Sequence, residues 1–172
     1  DNAMKIHKGG RFHTNGISVV LHPESELVGL DLDHCISDGT FTQDATEIIN
    51  RVNSYSEISP SGKGVRIFLY GKLPEKGRRR GSIECYDEGR HLTVTGNHIP
   101  DTPKVINRDQ VVIDWFHQKF IAITKDEDLS QGKVREASDE NEMVPAETAS
   151  DVSKLQVNEI IQQIRSSRQK EK

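Results

Sequence analysis

The sequence predicts an α+β domain with a mainly antiparallel sheet and helices on one face, followed by an acidic linker and a C-terminal helix. Three observations predict it. Short apolar runs between residues 16 and 122 alternate with polar residues, as strands with one buried face do. Two stretches within the same span carry apolar residues at helical spacing instead. Beyond residue 122 the composition turns acidic and almost loses its large apolar side chains.

Taken in order, residues 1–15 have no apolar periodicity and read as a tail. Residues 17–21 form a short buried strand and 27–33 a second, with Pro23 and two acids between them. Residues 42–53 read as a helix: Thr42 is its N-cap, Asp44 suits the first turn, and Ala45, Ile48, Ile49 and Val52 share a face. SYSEIS and KGVRIFLY, joined around Pro60-Ser61-Gly62, form a hairpin with a longer loop. Residues 82–86 and 91–95 alternate around Asp87-Glu88-Gly89 and read as a second hairpin, with Gly89 in the left-handed conformation. The expectation is one sheet containing residues 26–33, 63–70, 81–87 and 90–96. Val112, Trp115, Phe116, Lys119 and Phe120 make 108–122 a helix that covers it. The domain thus spans 16–122. Residues 123–151 form the linker, with nine acids against three bases from 125 to 151. Residues 152–172 begin a helical domain, because Val152, Leu155, Ile160, Ile161 and Ile164 form a stripe with no evident partner in the chain.

The 172 residues are 29% charged and only 33% hydrophobic, with a formal net charge of −4. No run approaches the roughly 18 apolar residues of a membrane-spanning helix, so no membrane partner is expected. Two cysteines, Cys35 and Cys85, are too few for a disulfide scaffold and fit a reducing, cytoplasmic setting. The net charge argues against a uniformly basic nucleic-acid binder. Basic residues are nevertheless clustered: Lys63, Arg66, Lys72, Lys76, Arg78, Arg79 and Arg80 face Glu75 alone between positions 63 and 80.

Chemistry concentrates on three strands. Asp31 and Asp33 stand at i and i+2 at a strand end, so both carboxylates leave one face, about 6.6–7 Å apart at Cα. Leu30 and Leu32 point into the core. Paired acids there suit a hard cation such as Mg²⁺, which takes oxygen ligands, although Asp at a strand end also simply starts turns. The loop SPSGKG resembles a phosphate-cradling turn, with two glycines, a lysine and a serine hydroxyl. It departs from a Walker A loop, which needs Gly where this chain has Glu57 and Ser or Thr where it has Gly64. Arg66 leaves the polar face of its strand, as Glu84 and Tyr86 do on theirs. Acids and bases at the centre of a sheet face are costly unless ions or ligands compensate them. His34, Cys35, Cys85, His91 and His98 have no zinc-ligand spacing, and both cysteines fall on apolar faces.

VGLDLDHC, SYSEISPSGKGVRIF, an Arg-rich turn and IECYDEGRHLTVTGNHIP, in that order, resemble the primase-polymerase module of phage and plasmid replication proteins, within the archaeo-eukaryotic primase superfamily. The resemblance covers residues 16–103, and the last block is its most specific part. It implies an RRM-like palm and template-directed nucleotide addition with Mg²⁺ or Mn²⁺. Asp31, Asp33 and Glu84 would be the metal ligands and catalytic acids, and Ser61, Lys63 and Arg66 would contact the triphosphate. Arg90 and the Thr95-Gly96-Asn97 turn would line the nucleotide pocket, with Asn97 binding nucleotide. The partners implied are nucleoside triphosphates, a single-stranded DNA template and a helicase domain in the full-length protein, of which this chain would be a fragment. Many members have His at the position of Arg66, and others share the Arg. The leading expectation is a metal-dependent nucleotidyltransferase acting in phage or plasmid DNA replication. The alternative is a catalytically impaired module that binds nucleotide or single-stranded DNA. A third reading, DLDHC as the nucleophile loop of a haloacid-dehalogenase-like phosphatase, lacks the long helices between strands that such a fold needs.

Overall fold

A computed structural model describes residues 2–9, 16–75, 78–122 and 161–162. Its elements are α1 (Asn2–Lys8), β1 (Ile17–Leu21), β2 (Leu27–Leu32), β3 (Ile36–Ser37), β4 (Thr40–Phe41), α2 (Gln43–Val52), β5 (Ser56–Ile58), β6 (Val65–Tyr70), β7 (Arg79–Arg80), β8 (Ile83–Tyr86), β9 (Arg90–Val94) and α3 (Gln110–Phe116). A π-helical turn, His117–Ile121, extends α3. The fold is α+β, as the alternation predicted.

Five strands form the main sheet in the order β5-β6-β2-β8-β7, with every pair antiparallel. Period-2 alternation divides its faces. Val28, Leu30 and Leu32 of β2, Val65, Ile67 and Leu69 of β6, and Cys85 of β8 pack into one apolar cluster with Ala45, Ile48, Ile49 and Val52 of α2 and Ile113 and Phe116 of α3. Both helices therefore lie on one face. Thr42 caps α2, its hydroxyl accepting from the Ala45 N–H at 3.3 Å, and Asn53 ends it in the left-handed conformation at φ 44°. α3 is shorter than the 108–122 expected: the Asp109 carboxylate accepts from the Val112 N–H at 3.0 Å and sets its start.

The expectation for the last strand fails. β9 does not pair with β8. It pairs antiparallel with β1 in a separate two-stranded ribbon, Ile17 opposite Val94 and Leu21 opposite Arg90. Gly89 does adopt φ 65°, but its turn passes the chain between sheets instead of closing a hairpin. The reason is burial. Val19, Leu21, Leu92 and Val94 sit on the second face of the main sheet in a cluster with Leu27, Phe68, Tyr70 and Tyr55, which a flat continuation from β8 would leave exposed to water. The approach is tight: a Cβ added to Gly29 would lie 2.3 Å from Cδ1 of Leu92.

Two chain ends join this second cluster. Part of the expected tail is the helix α1, whose Met4 is buried there, and Ile161 is fully buried in the same cluster. Ile161 and Gln162 are helical, so one residue of the stripe without an evident partner does have one. The linker 123–151, the other residues of the expected C-terminal helix and Lys76 lie outside the described residues.

Candidate nucleotide and metal site

The register of the main sheet lines up five ionic residues in one row. Glu57 on β5 is opposite Arg66 on β6, Arg66 opposite Asp31 on β2, Asp31 opposite Glu84 on β8, and Glu84 opposite Arg79 on β7. Arg66, Asp31 and Glu84 lie on the face opposite the helices, because Val65 and Ile67, Leu30 and Leu32, and Ile83 and Cys85 beside them face the apolar core. The register puts Glu57 and Arg79 at the two ends of the row. Directly opposed residues in an antiparallel pair have Cβ atoms about 4.5–5.5 Å apart, close enough for each charge to act on the next.

Arg66 forks onto Asp31, Nε and Nη2 donating to the two carboxylate oxygens at 3.4 Å, and its Nη1 donates to the Thr93 carbonyl of β9 at 2.6 Å. The ribbon thus holds the guanidinium over the row. Arg66 and Asp31 keep side-chain exposures of 15% and 14%, shielded enough to strengthen their interaction. Burial pushes the Asp31 carboxyl above its ordinary range. Arg66 pulls it back, while the like charges of Asp33 and Glu84 push it further up. Glu84 is held at both oxygens, by Arg79 Nε at 3.1 Å and by the Tyr86 hydroxyl, which donates at 2.9 Å. The Arg90 guanidinium lies over the Tyr86 ring, 5.1 Å from its centre, which brings Arg90 to the Glu84 end of the row.

Asp33 stands just past β2, its N–H donating to the Ser82 carbonyl at 2.8 Å. Among the described residues no three His, Cys, Asp or Glu side chains are grouped closely enough to hold a metal ion as they stand. Asp31 and Glu84 are register partners whose oxygens are taken by Arg66 on one side and by Arg79 and the Tyr86 hydroxyl on the other.

The SPSGKG loop closes on itself. The Ser59 hydroxyl accepts from Gly64 N–H at 3.1 Å, the Ser61 hydroxyl from Lys63 N–H at 3.3 Å, and the Ser59 carbonyl from Gly62 N–H at 3.0 Å. The exposed amides expected of a phosphate cradle are therefore used internally. The Ser61 hydroxyl is engaged as well, 3.1 Å from that of Ser59, which leaves the side chain of Lys63 as the cation this loop can offer an anion. The loop is docked beside the acids: Ile36 N–H donates to the Lys63 carbonyl at 3.0 Å, and a Cβ on Gly64 would lie 2.7 Å from the Leu32 carbonyl. Only glycine allows that approach.

The Thr95-Gly96-Asn97 turn is fastened to β5. Glu57 accepts from Thr95 N–H at 2.8 Å and Gly96 N–H at 2.9 Å, and Ile58 N–H donates to the Asn97 carbonyl at 2.8 Å. Sequence reasoning noted Glu57 only as a departure from a Walker A loop. In the sequence Arg79 stands out only as one member of the basic cluster, and Tyr86 only as sharing a strand face with Glu84. For Tyr86 the signal is alternation, which puts it on the same face as Glu84; Arg79 lies in an unbroken arginine run that carries no alternation. Both cysteines are free and buried. Burial pushes Cys35 up to about 11 and Cys85 up to about 12, and both pack as thiols within the apolar cluster under the helices.

The class defined by these features is an α+β domain whose antiparallel sheet carries helices on one face and a row of acids and arginines on the other. No family model matches the chain. It is similar to a DNA primase-polymerase of Nitratiruptor phage NrS-1, 33% identical over 119 residues, which is 64% of this chain and 17% of that protein. The chain thus spans about a sixth of that relative's length, and the match supports its reading as part of a phage primase-polymerase.

Proposed function

We propose that this chain carries the nucleotidyltransferase palm of a primase-polymerase acting in phage DNA replication, extending a strand from nucleoside triphosphates on a single-stranded DNA template. The observation that carries the proposal is the register row, which brings Asp31 and Glu84 side by side between Arg66 and Arg79 on one sheet face. The donor set suits a hard divalent cation, with carboxylate oxygens from adjacent strands; burial raises the Asp31 carboxyl first, and the like charges of Asp33 and Glu84 add to it. Asp31, Asp33 and Glu84 would hold Mg²⁺ or Mn²⁺ once Arg66 releases Asp31. Such an ion supplies charge neutralisation and Lewis-acid activation for phosphoryl transfer. Lys63 and Ser61 would meet the triphosphate from the docked loop, Arg66 would fork onto it, and Arg90 with Asn97 would border the nucleotide.

The test is calorimetric titration of the wild type and of the D31N/D33N double variant with Mn²⁺ and a nucleoside triphosphate, alongside primer extension by the longer protein. Loss of Mn²⁺-dependent nucleotide binding in the double variant supports the proposal, and unchanged binding refutes it. The Arg66 fork on Asp31 favours a second reading, a domain that binds nucleotide or single-stranded DNA without catalysis. Nucleotide binding with no extension would select that reading.

A further inference from the structure

Glu57 is the fully buried acidic residue among the described residues, with 0% exposure. A carboxylate taken out of water is costly unless it is fully hydrogen-bonded. This one is: Oε1 accepts from Thr95 N–H, and Oε2 accepts from Gly96 N–H and from the Tyr55 hydroxyl at 3.0 Å. It is also the register partner of Arg66, whose guanidinium is therefore flanked by Glu57 on one side and Asp31 on the other. A neutral hydrogen-bonding residue would suffice to tether a turn. Burial pushes the Glu57 carboxyl up, while the two turn amides, the Tyr55 hydroxyl and the charge of Arg66 hold it down. The ionised form attracts Arg66 while fixing the backbone of the turn that borders the same pocket.

We infer that Glu57 is a positioning residue for triphosphate binding: it fixes Arg66 and the Thr95-Gly96-Asn97 turn relative to each other before the ligand arrives. The inference rests on the reading of this face as a triphosphate pocket. Glu57 itself touches neither phosphate nor metal. It acts through Arg66 and through two backbone amides.

Glu57→Gln keeps the shape but offers one acceptor where two are needed, and it turns an amide N–H₂ toward a backbone or hydroxyl donor. In the full chain, titrated with Mn²⁺ and a nucleoside triphosphate, E57Q should bind the triphosphate about tenfold more weakly. Mn²⁺ affinity without nucleotide should change by less than triphosphate affinity does. Hydrogen exchange should quicken at the Thr95 and Gly96 amides while β2 and β6 stay protected. Action partly through Arg66 makes the effects non-additive: E57Q/R66A should lose less triphosphate affinity than the sum of the two single losses. Should E57Q fail to fold, Tyr55→Phe removes one donor to the same oxygen and should weaken triphosphate binding two- to threefold. Wild-type triphosphate affinity in E57Q, or in Y55F where that carries the test, overturns the positioning role, as does simple additivity with R66A. A wild-type chain that binds no triphosphate instead overturns the reading of the pocket itself.

Discussion

Asp31 and Arg66 face each other across β2 and β6, with the guanidinium on both carboxylate oxygens at 3.4 Å and anchored behind by the Thr93 carbonyl. Arg66 is thus an internal cation at the place where the acids would gather a metal. On the proposed reading of this face, an ion and Arg66 would compete for Asp31, and a triphosphate that draws Arg66 away would relieve the competition.

This competition fixes the sign of one substitution. Arg66→Ala should raise Mn²⁺ affinity severalfold in the absence of nucleotide. It should lower triphosphate affinity by about 1.5–3 kcal/mol, the size of a charge-assisted contact. Calorimetric titration of each ligand alone checks it. Weakened Mn²⁺ binding in the variant would show that Arg66 does not compete for the acids.

Ile161 is fully buried among Met4, Val19, Leu21 and their neighbours, so Ile161→Ala should destabilise the domain by about 2–4 kcal/mol through lost burial and the cavity left behind. Urea unfolding monitored at Trp115 measures it. A midpoint equal to that of the wild type would mean that the C-terminal segment does not pack on the palm in solution.

At Gly64 a methyl group would press on the Leu32 carbonyl, a backbone atom that cannot move aside, and on the Ser59 hydroxyl. Gly64→Ala should therefore cost about 1–3 kcal/mol and displace the Lys63 loop, weakening triphosphate binding as well. Gly62, with φ 73° and open space around it, is the control: alanine there meets only the left-handed backbone penalty of roughly 1 kcal/mol. Equal losses at the two positions would rule out a docked loop.

The buried thiols set an alkaline limit. Cys35 and Cys85 are raised to about 11 and about 12 in the fold, against about 8.5 in an unfolded chain. An acid whose folded pKa is raised contributes stability that is fully present below the unfolded value and is lost as pH rises toward the folded one. Stability should fall above about pH 8.5, by up to about 1.4 kcal/mol per pH unit for each thiol. Urea midpoints at pH 7, 9 and 10.5 should decline, and Cys85→Ala should flatten the decline. A profile unaltered by that substitution would contradict the assignment.

The sequence made legible whatever is local. Leu30 and Leu32 alternating with Asp31 announced a strand with a core face and a charged face, and Thr42 with Ala45, Ile48 and Ile49 announced a capped helix. Pairing was less legible. Asp87-Glu88-Gly89 has the composition of a hairpin turn whether β9 folds back on β8 or crosses to β1, and the choice depends on which apolar face needs cover. Glu57 was illegible for the same reason: its donors at Thr95 and Gly96 lie 38 and 39 residues away, and strand alternation does not say what a polar residue meets. Ile161 found its partners across the whole length of the chain.

The pairing of β1 with β9 also has a kinetic meaning. Ser18 and Thr93, opposite each other in the ribbon, are 75 residues apart in the chain, whereas β5 and β6 are joined by one short loop. Contacts between distant residues need a large loop to close before they contribute stability, and they slow folding accordingly. The β5–β6 hairpin and its packing on α2 can therefore form early, with the ribbon arriving late. Since the Thr93 carbonyl that holds Arg66 comes with the ribbon, the charged face reaches its working geometry only in the last stage of folding.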